Sequence, residues 1–171
     1  RNQLNRCNED NEGYKIITHV SNFRPVKNVR GVIDFFEKIS SKVKSKLKLI
    51  GEGPELEAVK DIVESKKIKN VFFLGNTQQV ERELCHSDLF ILPSKTESFG
   101  LSALEAMASK NVIISSNVGG LPEVNIHNHT GFLTDYNKID QMVEFAQTIL
   151  NNDKLLSDFK ENAFERAAFF D

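Results

Sequence analysis

Apolar positions along this chain alternate between two patterns. Short apolar runs at Tyr14–Val20, Leu47–Ile50, Val71–Leu74, Leu89–Pro93, Val112–Ser115 and Gly131–Leu133 predict buried strands. Between them, apolar residues return every three or four positions. Val29, Val32, Ile33, Phe36 and Ile39 predict a helix over 29–44. Leu56, Val59, Ile62 and Val63 predict a second, after Pro54, which suits a first helical turn. Further helices are expected over Gln78–His86, over Leu101–Ala108, where every residue but Ser102 is a strong helix former, and over Ile139–Leu150 and Lys154–Phe169. Asn151-Asn152-Asp153 supplies the break and N-cap between the last two.

Strands alternating with helices of about a dozen residues imply parallel βαβ units. The expected fold class is α/β, a doubly wound parallel sheet of the Rossmann-like kind. Such sheets bind ligands outside the carboxyl ends of their strands. The polar and Gly-rich loops Ser21–Lys27, Gly51–Pro54, Gly75–Thr77, Ser94–Gly100 and Asn117–Glu123 all fall there. Pro25 turns Arg24 away from helix.

The most informative stretch is Glu97-Ser98-Phe99-Gly100-Leu101-Ser102-Ala103-Leu104-Glu105-Ala106-Met107, which reads as a loop feeding a helix. The N-terminus of a helix leaves amides unpaired and carries partial positive charge, so the amides of Phe99, Gly100 and Leu101 are a candidate anion site. Gly100 permits close backbone approach. The reading places Glu97 at the helix mouth and Glu105 about two turns inside. A carboxylate accepts paired hydrogen bonds from vicinal hydroxyls of a ribose or hexose. The plainer alternative is a capping residue and a solvated helix Glu.

Glu97-Ser98-Phe99-Gly100 with Glu105-Ala106-Met107-Ala108 resembles the paired-Glu motif of family 4 retaining glycosyltransferases with the GT-B fold. Gly51-Glu52-Gly53-Pro54 and Gly119-Gly120-Leu121-Pro122-Glu123 resemble two further signatures of that family. The resemblance covers roughly residues 14–150. It implies a nucleotide-sugar-binding C-terminal domain over 14–171. Residues 1–13 would then be a linker from an N-terminal acceptor domain. It implies that Glu105 binds the ribose and Glu97 the transferred sugar. It further implies that the amides of Phe99, Gly100 and Leu101 reach the sugar and distal phosphate, with Ser98 also in the nucleotide-sugar site, and that Asn76 meets the base. Arg24 and Lys27 would neutralise the diphosphate, with Gly51 and Gly53 letting backbone approach the nucleotide or simply forming a tight turn. Where the family usually carries an Arg five residues before the Lys, this chain has Asn22, so Arg24 is expected to take that role.

The stretch His19–Lys27 is similar to a branch of the family that transfers N-acetylglucosamine from its UDP derivative to L-malate, the first step of bacillithiol synthesis. Two other readings stay open. One is a member using another nucleotide-sugar with a lipid or polysaccharide acceptor. The other is a non-catalytic nucleotide-sugar-binding module. An enzyme half predicts exposed apolar residues facing its missing partner domain, and a module predicts a polar surface there.

Composition adds bounds. The 171 residues suffice for one domain with a real core, and the net charge of −2 argues against a nucleic-acid partner. No run of 18 apolar residues exists to span a membrane, and Arg1–Gly13 is polar, unlike a signal peptide. No Asp-x-Asp occurs that would hold a diphosphate through a metal, and no cofactor is expected. His127 and His129 lack a third ligand, so no metal is expected. Cys7 and Cys85 fit no disulfide framework, which leads to an expectation of reduced thiols and a cytoplasmic protein.

Overall fold

Apolar runs become parallel strands only when both faces of the sheet are covered. In the structure, a computed structural model that describes residues 11–170, six such strands form one sheet. They are β1 (Lys15–Val20), β2 (Ser45–Ile50), β3 (Val71–Gly75), β4 (Leu89–Leu92), β5 (Val112–Ser116) and β6 (Gly131–Thr134). Their spatial order is β3-β2-β1-β4-β5-β6, all parallel. The order reverses between β1 and β4, and that point is where open α/β sheets place their ligands.

Successive residues of a strand face opposite sides. Leu89 and Ile91 therefore enter one core with Phe35, Phe36 and Ile39 of α1 (Val29–Ser40) and Met142, Ala146 and Ile149 of α6 (Ile139–Leu150). Val59 of α2 (Leu56–Ser65) joins them. Phe90 and Leu92 enter the other core. There they meet Leu84 of α3 (Val80–Cys85), Ala103, Ala106 and Met107 of α4 (Leu101–Ala108), and Leu121 and Val124 of α5 (Leu121–Val124). The last helix, α7 (Asp153–Ala167), serves both cores, with Leu156 and Phe159 in the first and Ala163 and Ala167 in the second.

Four expectations need correction. α1 stops at Ser40, not Lys44, because the hydroxyls of Ser40 and Ser41 bond back to the carbonyls of Glu37 and Lys38. Val43 keeps the apolar spacing and is buried, but from the turn. α3 begins at Val80 rather than Gln78, since the Thr77 hydroxyl accepts from the Gln79 amide in a turn. Leu121–Glu123, the end of the loop expected over Asn117–Glu123, instead belongs to the short helix α5 (Leu121–Val124), with Pro122 in its first turn. Cys85 is disulfide-bonded, which removes the reduced-thiol argument for a cytoplasmic protein. The other cysteine, Cys7, and the linker expected over 1–13, apart from its last three residues, lie outside the described residues. Among the described residues no helix is long and apolar enough to cross a membrane.

Candidate functional site

Three loops meet at the carboxyl edge of the sheet, around the switch point. The first follows β1. His19 is fully buried there, and its ring packs between those of Phe23 and Phe90, at centroid distances of 6.2 and 6.5 Å. Its Nδ1 lies 2.8 Å from the Ile91 carbonyl, and its Nε2 lies 2.8 Å from the Ser21 hydroxyl. A carbonyl can only accept, so Nδ1 carries the proton and Nε2 accepts from Ser21. Burial pushes the His19 pKa down to about 4, with nearby Lys27 adding to the fall. The Ile91 hydrogen bond and the Glu97 carboxylate oppose it.

Ser21 Oγ in turn accepts from the Phe23 amide at 3.2 Å. Phe23 sits at φ 50 with its ring buried, a left-handed conformation rare for a bulky residue. Beyond this turn Arg24 is exposed, and among the described residues no hydrogen bond or ion pair engages its guanidinium. Pro25–Lys27 form one 3-10 turn. Asn28 then caps α1, and its amide donates to the carbonyls of Pro93 at 3.0 Å and Tyr136 at 3.3 Å.

The Cα faces of Gly51 and Gly53 press on this first loop. A Cβ on either would stand 1.7 Å from a carbonyl oxygen, of Ser21 and of Asn22 respectively. The Gly51 amide is spent on the Gly75 carbonyl at 2.9 Å. The close approach these glycines allow is therefore to the β1 loop, which favours the tight-turn reading. Asn76 is exposed beyond β3, with Nδ2 3.4 Å from Glu52 Oε2.

The second loop follows β4. Lys27 Nζ lies 2.8 Å from Glu97 Oε2, and the Ser94 hydroxyl donates to the same oxygen at 3.2 Å. The two charged side chains keep only 20% and 11% of their exposure, so this ion pair is shielded in a way surface pairs are not. Glu97 Oε1 receives no hydrogen bond among the described residues. Gly100, at φ 68, leads into α4, whose start has no side-chain cap and no acidic residue. Its first amides keep their donors free of intrahelical partners.

Glu105 is exposed on α4, on the same face as Leu101 one turn before it. Because the helix starts at Leu101, Glu105 lies about one turn inside, not two. Phe99 and Leu101 are 72% and 64% exposed, and Val26 and Tyr136 on neighbouring loops are exposed as well.

The third loop, after β5, fixes the second. A Cβ on Gly119 would stand 1.5 Å from the Glu97 carbonyl oxygen. The Gly120 amide donates to the Ser98 carbonyl at 3.0 Å. The two glycines therefore clamp the backbone of Glu97 and Ser98.

The structure thus brings together Lys27, Glu97, Ser98, Phe99, Gly100 and Leu101 at the switch point, with Arg24 at the edge of the same loop. Gly51 and Gly53 act from behind, and Asn76 stands off beyond β3. Cations, an uncapped helix start and two carboxylates on one edge are suited to hold an anion joined to a polyhydroxyl group. Sequence reasoning missed His19, Ser21, Ser94 and Asn28 as supports. A histidine next to the last residue of an apolar strand, two residues before a serine, was the one available signal. Among the described residues no group of three or more His, Cys, Asp or Glu could hold a metal. His127 instead accepts from the Leu133 amide and packs on Phe132 and Phe145.

Comparison with known proteins gives three findings. The family described as "Glycosyl transferases group 1" matches residues 1–166. N-acetyl-alpha-D-glucosaminyl L-malate synthase of Bacillus anthracis is 41% identical over 155 residues, covering 90% of this chain and 41% of the synthase. A crystal structure of a mutant S. aureus TarM in complex with Fondaparinux, alpha-GlcNAc-glycerol and UDP superposes with a TM-score of 0.84 at 28% identity, over 90% of this chain and 32% of TarM. The chain thus spans about two fifths of the curated relative it matches.

Proposed function

This chain belongs to the glycosyl transferases of group 1, and we propose that it is the donor-binding half of a GT-B enzyme of that family. Its donor is a UDP-sugar, first of all UDP-N-acetylglucosamine. The acceptor, bound by a partner domain outside this chain, is L-malate, and the anomeric configuration is retained. That product opens bacillithiol synthesis. The donor and acceptor follow the Bacillus anthracis relative, and UDP is the nucleotide named in the TarM complex.

One observation carries the reading: the shielded Lys27–Glu97 pair beside the uncapped start of α4, at the switch point of the sheet. As the sugar–phosphate bond breaks, negative charge grows on the diphosphate and the sugar gains oxocarbenium character. Lys27, Arg24 and the amides of Phe99, Gly100 and Leu101 stabilise that charge. Glu97 Oε2 is held by Lys27 and Ser94, which turns Oε1 toward sugar hydroxyls. Glu105 accepts from the ribose. These groups supply position and field, not a covalent nucleophile.

Exposed Val26, Phe99, Leu101 and Tyr136 on this edge favour an enzyme half over a free-standing binding module. The likeness to the poly(ribitol-phosphate) alpha-N-acetylglucosaminyltransferase of Staphylococcus aureus keeps a polymer acceptor as the second reading. Titration calorimetry with UDP-N-acetylglucosamine, UDP-glucose and a GDP-sugar tests the donor. The expected ranking places UDP-N-acetylglucosamine first and the GDP-sugar last. Tighter binding of the GDP-sugar would remove the donor assignment.

A further inference from the structure

The donor reading leaves the buried His19 without a task. His19 is fully buried, yet its two ring nitrogens join β4 to the loop that carries both cations. We propose that His19, held as the neutral Nδ1–H tautomer, is a positioning residue for the donor diphosphate, acting through Ser21 to fix the turn that presents Arg24 and Lys27. This rests on the donor-site reading above.

The geometry leaves the turn few alternatives. Ile91 fixes the tautomer, and the tautomer makes Nε2 an acceptor for the Ser21 hydroxyl. The Ser21 oxygen is thereby oriented to take the Phe23 amide. That bond closes a turn in which Phe23 holds a left-handed backbone, and Arg24 follows directly. Gly51 and Gly53 pack on the carbonyls of Ser21 and Asn22, so the turn cannot slide toward β2. Phe23 and Phe90 hold the ring from its sides. The charged groups acting on it are Lys27, on the turn itself, and Glu97, from the β4 loop. An imidazolium would donate to Ser21 instead of accepting, strand the serine proton and stand near Lys27. The depressed pKa fits a ring that stays neutral at ordinary pH.

The test has two readouts on the same chain. Nitrogen-15 NMR of the imidazole should show the Nδ1–H tautomer in the unaltered protein from about pH 5.5 to 8. UDP-N-acetylglucosamine is the binding probe, because its diphosphate is doubly esterified and does not titrate near neutral pH. Ser21→Ala should weaken its binding about tenfold, the scale of one or two lost hydrogen bonds. Ser21→Thr should restore it. In an Arg24→Ala/Lys27→Ala background, Ser21→Ala should cost much less, since there are no cations left to position. A purely structural serine would cost the same in both backgrounds. An Nε2–H tautomer or an imidazolium in the unaltered protein would overturn the proposal without needing any variant. So would Ser21→Ala binding as tightly as wild type, while wild-type binding leaves the donor reading intact. If the unaltered chain binds no nucleotide-sugar, the donor reading fails and this proposal fails with it.

Discussion

Lys27 and Glu97 stand 70 positions apart in the sequence and meet at 2.8 Å. Each was legible as a candidate from its motif, but their contact was not, because it depends on strand order, which no local pattern encodes. The same holds for His19. Its residue type and place on a strand were readable, while its tautomer follows from an Ile91 carbonyl 72 positions away. This histidine also makes stability depend on pH, with a definite sign. Its pKa is about 4 in the folded chain against 6.5 for the free side chain. Above about pH 6.5 both states hold it neutral, and its contribution is full. As pH falls from 6.5 toward 4, the unfolded chain takes up the proton and the folded chain does not, so stability drops. Below 4 the loss is complete, on the order of 3 kcal/mol. Denaturant melts of wild type and His19→Gln at pH 7 and pH 5 measure this. The fall between the two pH values should be smaller in the variant, and an equal fall would show that His19 does not titrate as described.

At the scale of elements, the alternation of apolar runs and helical periods revealed every strand and six of the seven α-helices among the described residues. The exception, α5, has four residues, too few for a period to register, and it forms because Leu121 and Val124 bury against the second core. Element ends were less legible where side chains compete with the backbone, as Ser40 and Ser41 do at the end of α1. The Gly119-Gly120 pair was expected at the site, but its task is specific: to let β5's loop lie against the carbonyls of Glu97 and Ser98. Gly119 combines φ 55 with backbone on its open face, so neither the conformation nor the space tolerates a methyl group. Gly119→Ala should therefore destabilise by about 3 kcal/mol, a melting-point fall of roughly 6–12 °C. It should weaken nucleotide-sugar binding as the Glu97 loop shifts. A melting point within a degree or two of wild type would show that the clamp is looser than described.

On the scale of the whole molecule, one sheet with helices on both faces gathers its open loops on one edge and leaves apolar Val26, Phe99, Leu101 and Tyr136 exposed there. That edge fits one wall of a cleft. We expect this chain alone to bind UDP-N-acetylglucosamine weakly and to make no glucosaminyl-malate, which chromatography of the reaction mixture would detect. Product formed by the isolated chain would contradict the half-enzyme reading. In the proposed donor site the two carboxylates divide one donor between them, Glu105 at the ribose and Glu97 at the sugar. Calorimetric titration of UDP and of UDP-N-acetylglucosamine into wild type, Glu105→Ala and Glu97→Ala tests it most directly. Glu105→Ala should weaken both ligands alike, by about tenfold or more. Glu97→Ala should weaken UDP-N-acetylglucosamine about tenfold and UDP far less, because it removes a sugar contact while freeing Lys27 for phosphate. Equal losses of UDP and UDP-N-acetylglucosamine at Glu97, or no loss of either at Glu105, would contradict the account.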